Sequence, residues 1–205
     1  MKTVDFTAMK DGTKAEYEFL RTQEHTFNEM TADRILRELA SQAEDTIGGY
    51  KITRLQHALQ SATRAERDFA NTDQSDKDWI VAALLHDIGD GLAPQNHDKM
   101  AAEIIRPFVR EEVSWVVEHH GAFQMVYYAH HYDGWNQYER EKYKDSPYYQ
   151  SCVDFCERWD QSSFDPDYDM LPLEHFEPMV REVFDRKAYD NTVLEPGVVR
   201  GLPAI

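Results

Sequence analysis

Six side chains in this sequence are of types that bind first-row metal ions and stand where folding would carry them inward: His57, His86, Asp87, His97, His120 and Asp160. The adjacent pair His86-Asp87 is the anchor. The run from Trp79 to Ile88, WIVAALLHDI, is apolar apart from that pair, so a helix here has no solvent face and takes an imidazole and a carboxylate into the interior. Burying both without compensation costs several kcal/mol. A hydrogen-bonded His-Asp pair is one compensation. A metal ion is the other, because a neutral imidazole nitrogen and a carboxylate oxygen are both good ligands and a carboxylate can bridge two cations.

The remaining candidates depend on the helices that carry them. His120 completes an i, i+3, i+4, i+7 stripe with Val113, Val116 and Val117, which turns it toward the core. Its neighbour His119 falls with Trp115 and Glu112 at the boundary of that face. Gly121 is expected to stop the helix, and His130 and His131, in the aromatic run that follows, show no clear face and read as structural or surface residues. His97 opens a helix that Asn96 can cap and Arg106-Pro107 ends, and it shares a face with Ala101, Ile104 and Ile105. Asp160 ends the stripe of Val153 and Cys156 in a helix opened by Ser146-Pro147. His57 is ambiguous. The helix from about Arg54 to Ala70 has Leu55, Ala58, Leu59 and Ala62 on its apolar face, while His57 lies opposite with Gln60, Ser61 and Arg64, where a side chain is usually solvated. Together these residues supply four imidazoles and two carboxylates, the donor set for two octahedral ions bridged by Asp87 with positions left open.

Outside this set the pattern is also helical. Thr13 and Glu16 form a capping box for a short helix to about Glu24; Thr31 caps a second helix with the stripe Ile35, Leu36, Leu39 and Ala43, broken by Gly48 and Gly49. A last amphipathic helix holds Phe176, Met179, Val180, Val183 and Phe184, before a Gly/Pro tail expected to be loosely ordered. Asp165, Asp167 and Asp169 imitate the start of a calcium loop, but Met170 replaces the needed glycine and Phe176 the bidentate glutamate, so calcium is not expected. No strand pattern appears, and the expected fold is all-α: one domain over residues 1–205, its core at about 31–188, with an N-terminal helix and a C-terminal tail appended. A net charge of −16 argues against nucleic acid and anionic membrane as partners. The chain has no apolar run near the roughly 18 residues of a membrane span and no signal-peptide pattern at its start. Cys152 and Cys156, at helical i, i+4 spacing, read as small buried hydrophobes rather than a disulfide. A cytoplasmic location is expected.

The order H…HD…H…H…D resembles the HD-domain superfamily, in the version with six protein ligands to a dinuclear site, which implies a helical bundle around buried metals. The likeness runs from about residue 47 to 161. Most of that superfamily are phosphohydrolases; a smaller branch are mixed-valent diiron oxygenases, such as myo-inositol oxygenase and the phosphonate oxygenases that cleave carbon–phosphorus bonds. DKDWIVAALLHDIGD at residues 76–90 is similar to the inositol oxygenase segment, RLQHALQSA at 54–62 to both oxygenases, and ERWDQ at 157–161 to the phosphonate enzymes. The resemblance implies that His57, His86, Asp87 and Asp160 hold one iron, that His97 and His120 with the bridging Asp87 hold the second, and that dioxygen is the co-substrate. It points to a small organophosphonate, 1-hydroxy-2-(trimethylammonio)ethylphosphonate, cleaved to glycine betaine and phosphate after a hydroxylase has supplied the 1-hydroxyl. The alternative is a metal-dependent phosphohydrolase of nucleotides or other phosphomonoesters. A homodimer is compatible with the resemblance, and the sequence itself gives no oligomeric state.

The substrate contacts this suggests are Arg158 for the phosphonate, Asp90 for the ammonium, with Tyr50 and His119 beside them. Asp90 stands where hydrolytic members commonly show lysine, as in HDIGK. Where an aminophosphonate member has a Tyr and a Glu before its first His, this chain has Thr46 and Gly49, leaving Tyr50, or Phe27 and Met30, to close the pocket. Losing that Glu suits a bulky trimethylammonium among aromatic rings.

Overall fold

The computed structural model describes residues 2–44, 49–70, 72 and 76–204, and all regular structure among them is helical. Thr46 lies outside the described residues. The main helices are α1 (Lys14–Glu29), α2 (Thr31–Ser41), α3 (Arg54–Ala70), α4 (Lys77–Leu85), α5 (His97–Ile105), α6 (Glu111–Tyr128), α7 (Tyr149–Phe155), α8 (Leu173–Phe184) and α9 (Asn191–Leu194). Helix α4 is the axis of the bundle. Trp79 to Leu85 are all buried, and α3, α6 and α8 pack around it, as a helix apolar on every side requires. Trp79, Phe155, Trp159 and Phe176 fill the core beside it.

The two ends of α4 carry charge for different purposes. At its start Asp76 accepts from the Asp78 amide, and the Arg110 guanidinium reaches both oxygens of Asp76 at 2.8 and 3.0 Å. Arg186 donates to Asp78 at 2.6 Å. These buried charges are thus paired and hydrogen-bonded, the condition under which burial is tolerated. At its other end the helix stops at Leu85, so that His86 and Asp87 sit on a turn rather than inside the helix.

Several boundaries differ from expectation. The Thr13–Glu16 capping box forms, but α1 runs on to Glu29. Met30, not Thr31, occupies the cap position of α2, where Thr31 instead donates to the Asn28 carbonyl at 2.6 Å. Ile35 and Leu39 are buried, whereas Ala43 lies exposed beyond the end of α2. Asn96 precedes α5 without a side-chain cap bond. Gly121 does not stop α6. A glycine costs a helix only about 1 kcal/mol relative to alanine, and Phe123, packed against Trp115, Tyr143 and Tyr149, anchors the turn that follows.

The C-terminal tail is tied down rather than loose. The carboxylate of Glu112, fully buried, accepts from the amides of Arg200 and Gly201 at 3.0 and 2.9 Å and from the Ser151 hydroxyl at 2.6 Å. Trp79 donates its indole N–H to the Gly201 carbonyl. No described helix is long and apolar enough to cross a membrane.

Candidate metal centre

His57 is buried, contrary to the expectation from its polar helix face. That face of α3 is covered by the segment after Asp160, a stretch of irregular backbone that needs polar partners. Gln60 exchanges two hydrogen bonds with the main chain of Asp165, Arg64 donates to the Ser162 carbonyl, and Thr63 accepts from the Leu171 amide. His57 joins this pattern by turning Nδ1 to the Ser163 carbonyl at 2.9 Å. Its Nε2 is thereby aimed at the end of α4.

The other imidazoles are held alike. Nδ1 of His86 lies 2.9 Å from the Ala83 carbonyl and Nδ1 of His120 2.7 Å from that of Val117. Nδ1 of His97 lies 3.2 Å from the Pro94 carbonyl. A neutral ring so placed keeps its proton on Nδ1 and presents a bare Nε2 lone pair, the orientation second-shell carbonyls impose on metal-binding histidines.

The four Nε2 atoms and two carboxylates fall into two groups that share Asp87. Nε2 of His57 and of His86 are 3.1 Å apart, with Asp87 Oδ2 at 3.4 and 3.5 Å and Asp160 Oδ1 at 3.3 and 3.5 Å from them. The second oxygen of Asp87 lies 3.3 Å from Nε2 of His97 and 3.1 Å from Nε2 of His120. Ligand bonds of about 2.1 Å meeting at right angles put neighbouring donors about 3.0 Å apart. The spacing therefore suits donors on one coordination sphere, and groupings drawn from all six residues can each hold a metal ion. The second group offers three protein donors, which leaves a six-coordinate ion with open positions. One further atom fits this reading: Asp160 Oδ2 is buried without a hydrogen-bond partner.

With protons in place of metal, the same geometry couples the groups strongly. Burial works against a charged His120, but the hydrogen bond and charge of Asp87 outweigh it and push its pKa up to about 10. His57 is raised for the same reason, through Asp160 and then Asp87. Burial alone would raise the carboxyls of Asp87 and Asp160. The charge of His86 and the neighbouring imidazoles instead hold both far below the usual carboxylate range.

Asp160 reaches the site from an irregular turn. After α7 the chain winds as a π-helix over Cys156–Asp160, with the Gln161 amide bonded to the Cys156 carbonyl at 3.0 Å. Such wide turns are frequent at functional positions. The helix itself begins at Tyr149, two residues after the proline expected to open it.

The chain matches the family model of the HD domain over residues 54–160, a stretch that begins three residues before His57 and ends at Asp160. The chain belongs to the HD-domain family. No curated protein matches it. HD domains are mostly metal-dependent enzymes, and in this one the His86-Asp87 pair joins the two halves of the site.

A cavity of about 520 Å³ opens on the HD site. Tyr50 and Asp90 line it, as expected. Arg158 does not. Its guanidinium is turned to Asp68, at 2.6 and 3.0 Å, and to the Pro203 carbonyl at 2.9 Å. His119 does not line the cavity either. It stacks on Trp115 with ring centroids 4.1 Å apart and bonds to the Trp115 carbonyl. Phe27 and Met30 are exposed and outside the lining, and Gly49 is an exposed turn residue with positive φ. Asp90 is engaged on both oxygens, by Arg54 and by Nδ1 of His97.

The wall contains residues that the motif reading passed over. Tyr127, Tyr128, Tyr132 and Phe164 join Tyr50 to give five aromatic rings. Phe164 stacks on Tyr50 and tilts against His57. Arg54, Gln124 and Gln161 add polar groups. Arg54 stands three residues before His57 and Gln124 four after His120, so helical spacing from the ligands carried the signal for both.

Proposed function

We propose that this HD-domain protein is a diiron oxygenase that cleaves the carbon–phosphorus bond of 1-hydroxy-2-(trimethylammonio)ethylphosphonate, with dioxygen, to glycine betaine and phosphate. The observation that carries this reading is the cavity wall. It presents five aromatic rings, while its only lysine or arginine among the described lining residues is Arg54, already paired with Asp90. Aromatic faces attract a quaternary ammonium. A nucleotide or similar polyanion would instead call for several unengaged cationic donors.

The site residues fit iron in number and type, with four imidazoles and two carboxylates. When bound, the iron pair supplies dioxygen chemistry and removal of hydrogen from the hydroxyl-bearing carbon. The chain supplies orientation. Tyr50, Tyr128 and Tyr132 surround the ammonium end, while the amides of Gln124 and Gln161 serve the phosphonate oxygens. Both atoms of one dioxygen are consumed, one in the new carboxylate and one in the phosphate, so no external reductant is needed. The 1-hydroxyl has to come from an earlier hydroxylation.

The test is anaerobic reconstitution with Fe(II), partial oxidation, and EPR with and without the hydroxyphosphonate. The expected result is a coupled Fe(II)/Fe(III) signal that changes with substrate, and phosphate and glycine betaine in equal amounts only after dioxygen is admitted. Phosphate release from monoesters without dioxygen, fastest with Mn(II) or Co(II), would replace this reading with a phosphohydrolase.

A further inference from the structure

Of the four imidazoles at the site, His97 is the least secured. Its side chain is 24% exposed, against 7% for His57, 0% for His86 and 3% for His120. It is the first residue of its helix, and the carbonyl facing its Nδ1, that of Pro94, belongs to the loop before α5. It also belongs to the group with fewer protein donors, so an error in its position weighs more there.

A second acceptor stands on the same nitrogen. Asp90 Oδ1 lies 3.2 Å from Nδ1 of His97, and this is the only carboxylate against Nδ1 of a ligand histidine among the described residues. The other Asp90 oxygen is clamped by the guanidinium of Arg54, and both side chains are largely buried. Asp90 is fixed from its main chain as well, its amide bonding to the Asp87 carbonyl at 3.0 Å. A chain of contacts, Arg54 to Asp90 to His97, thus ties the helix of His57, the turn of the bridging Asp87 and the first turn of α5 into one unit.

We infer that Asp90 is a positioning residue for the second metal, acting through His97, and not the receptor for the substrate's ammonium group. A carboxylate on Nδ1–H fixes the ring's rotation and tautomer and makes Nε2 a stronger donor. Its effect belongs to the group formed by Asp87, His97 and His120. Arg54 neutralises the carboxylate and occupies its second oxygen at the cavity wall. The inference rests on the dinuclear-metal reading and is independent of whether the reaction is oxidative or hydrolytic.

The test uses Co(II) alone, titrated into the metal-free full-length protein and followed by visible absorption and metal content. The wild type should take up two ions. Asp90→Asn, of the same shape but without the charge, should bind the first unchanged and the second roughly 10- to 100-fold more weakly, the range for loss of an outer-sphere carboxylate. The Nδ1–H proton signal of His97 should also move upfield in the variant. If Asp90→Asn proves too unstable to purify, Arg54→Gln carries the test, with the second affinity again the one expected to fall. Two unchanged Co(II) affinities in the variant would overturn the inference, and weakened binding of a choline probe with both affinities intact would make Asp90 the ammonium receptor after all. Uptake of a single ion by the wild type would sink the dinuclear reading itself. A wild type that hydrolyses monoesters would leave the role of Asp90 standing.

Discussion

Gly89, two residues after Asp87, tests how closely the second group of donors is built. It needs no unusual backbone, since its φ is not positive. What it lacks is room. A Cβ added there would stand 3.0 Å from the His97 carbonyl oxygen, 3.2 Å from the His97 Cα and 3.1 Å from the Met100 Cβ. Two of those atoms are main chain of the first turn of α5, which cannot rotate away as a side chain can. Ordinary carbon contacts lie at about 3.5–4.0 Å, so Gly89→Ala must push α5 outward by a few tenths of an ångström. His97 is carried with it, away from Asp87 Oδ1, now at 3.3 Å from its Nε2. Metal sites tolerate errors of about 0.2 Å in their bonds. Overpacking of this kind costs about 1–3 kcal/mol, which spread over a chain of this size lowers Tm by roughly 2–12 °C. Differential scanning of the metal-free protein reads the stability, and metal content after loading and desalting reads the site. The expected variant melts lower and retains one ion firmly. A Gly89→Ala protein with unchanged Tm and two tightly held ions would refute the packing argument.

Metal affinity should rise with pH. The proton that Asp87 holds on His120 up to a pKa of about 10 must leave before Nε2 can bind an ion, giving up to about tenfold tighter binding per pH unit for each proton released; a Co(II) affinity flat between pH 6.5 and 8.5 would contradict this. For the metal-free protein the sign is reversed. Because the folded pKa of His120 lies above its ordinary value of 6.5, its contribution to stability is complete below pH 6.5 and is lost as pH climbs toward 10, which melts across that range would record. Arg158→Ala removes the bonds to Asp68 and Pro203 and should cost about 1–3 kcal/mol while leaving KM unchanged; a raised KM at unaltered stability would return Arg158 to the substrate site. Glu112→Ala strips the acceptor from two tail amides and Ser151, with an expected loss of about 2–3 kcal/mol and rapid proteolysis near Arg200, and a tail that stays protected would show that other contacts hold it.

The helices were legible because their apolar periodicity is strong. The stripe of Val113, Val116 and Val117 leads to a buried His120, and the unbroken apolar run of α4 leads to its central place. What one-dimensional periodicity misses is which polar faces are covered. His57, Gln60 and Ser61 look like a solvated face, and all three are buried, because an irregular loop more than a hundred residues away in the chain covers that face and satisfies main-chain groups on His57 and Gln60. Glu112 is a second case. Its burial is explained by the tail amides it binds, and no local pattern links residue 112 to residues 200 and 201. Gly121 differs for another reason: a stop signal worth about 1 kcal/mol yields to the burial of one phenylalanine, Phe123, which is worth more.

Arg158 and His119 mark the limit of reasoning from nearness in sequence. On an α-helix two positions are about 200° apart, so a residue two before Asp160 points away from whatever Asp160 faces, and the wide π turn does not bring it back. Arg158 accordingly reaches Asp68 and the tail, where its charge closes the bundle. His119 is about 100° from His120 and lands on Trp115, one turn earlier, in a stack with Tyr143 against its edge. Residues three or four positions from a ligand behave differently. Arg54 before His57 and Gln124 after His120 share the ligands' faces and line the cavity. The helical rotation that turns His57 and His120 toward the metal site thus carries side chains one turn away to the cavity with them, while at the end of the π turn Gln161 reaches the wall from beside Asp160.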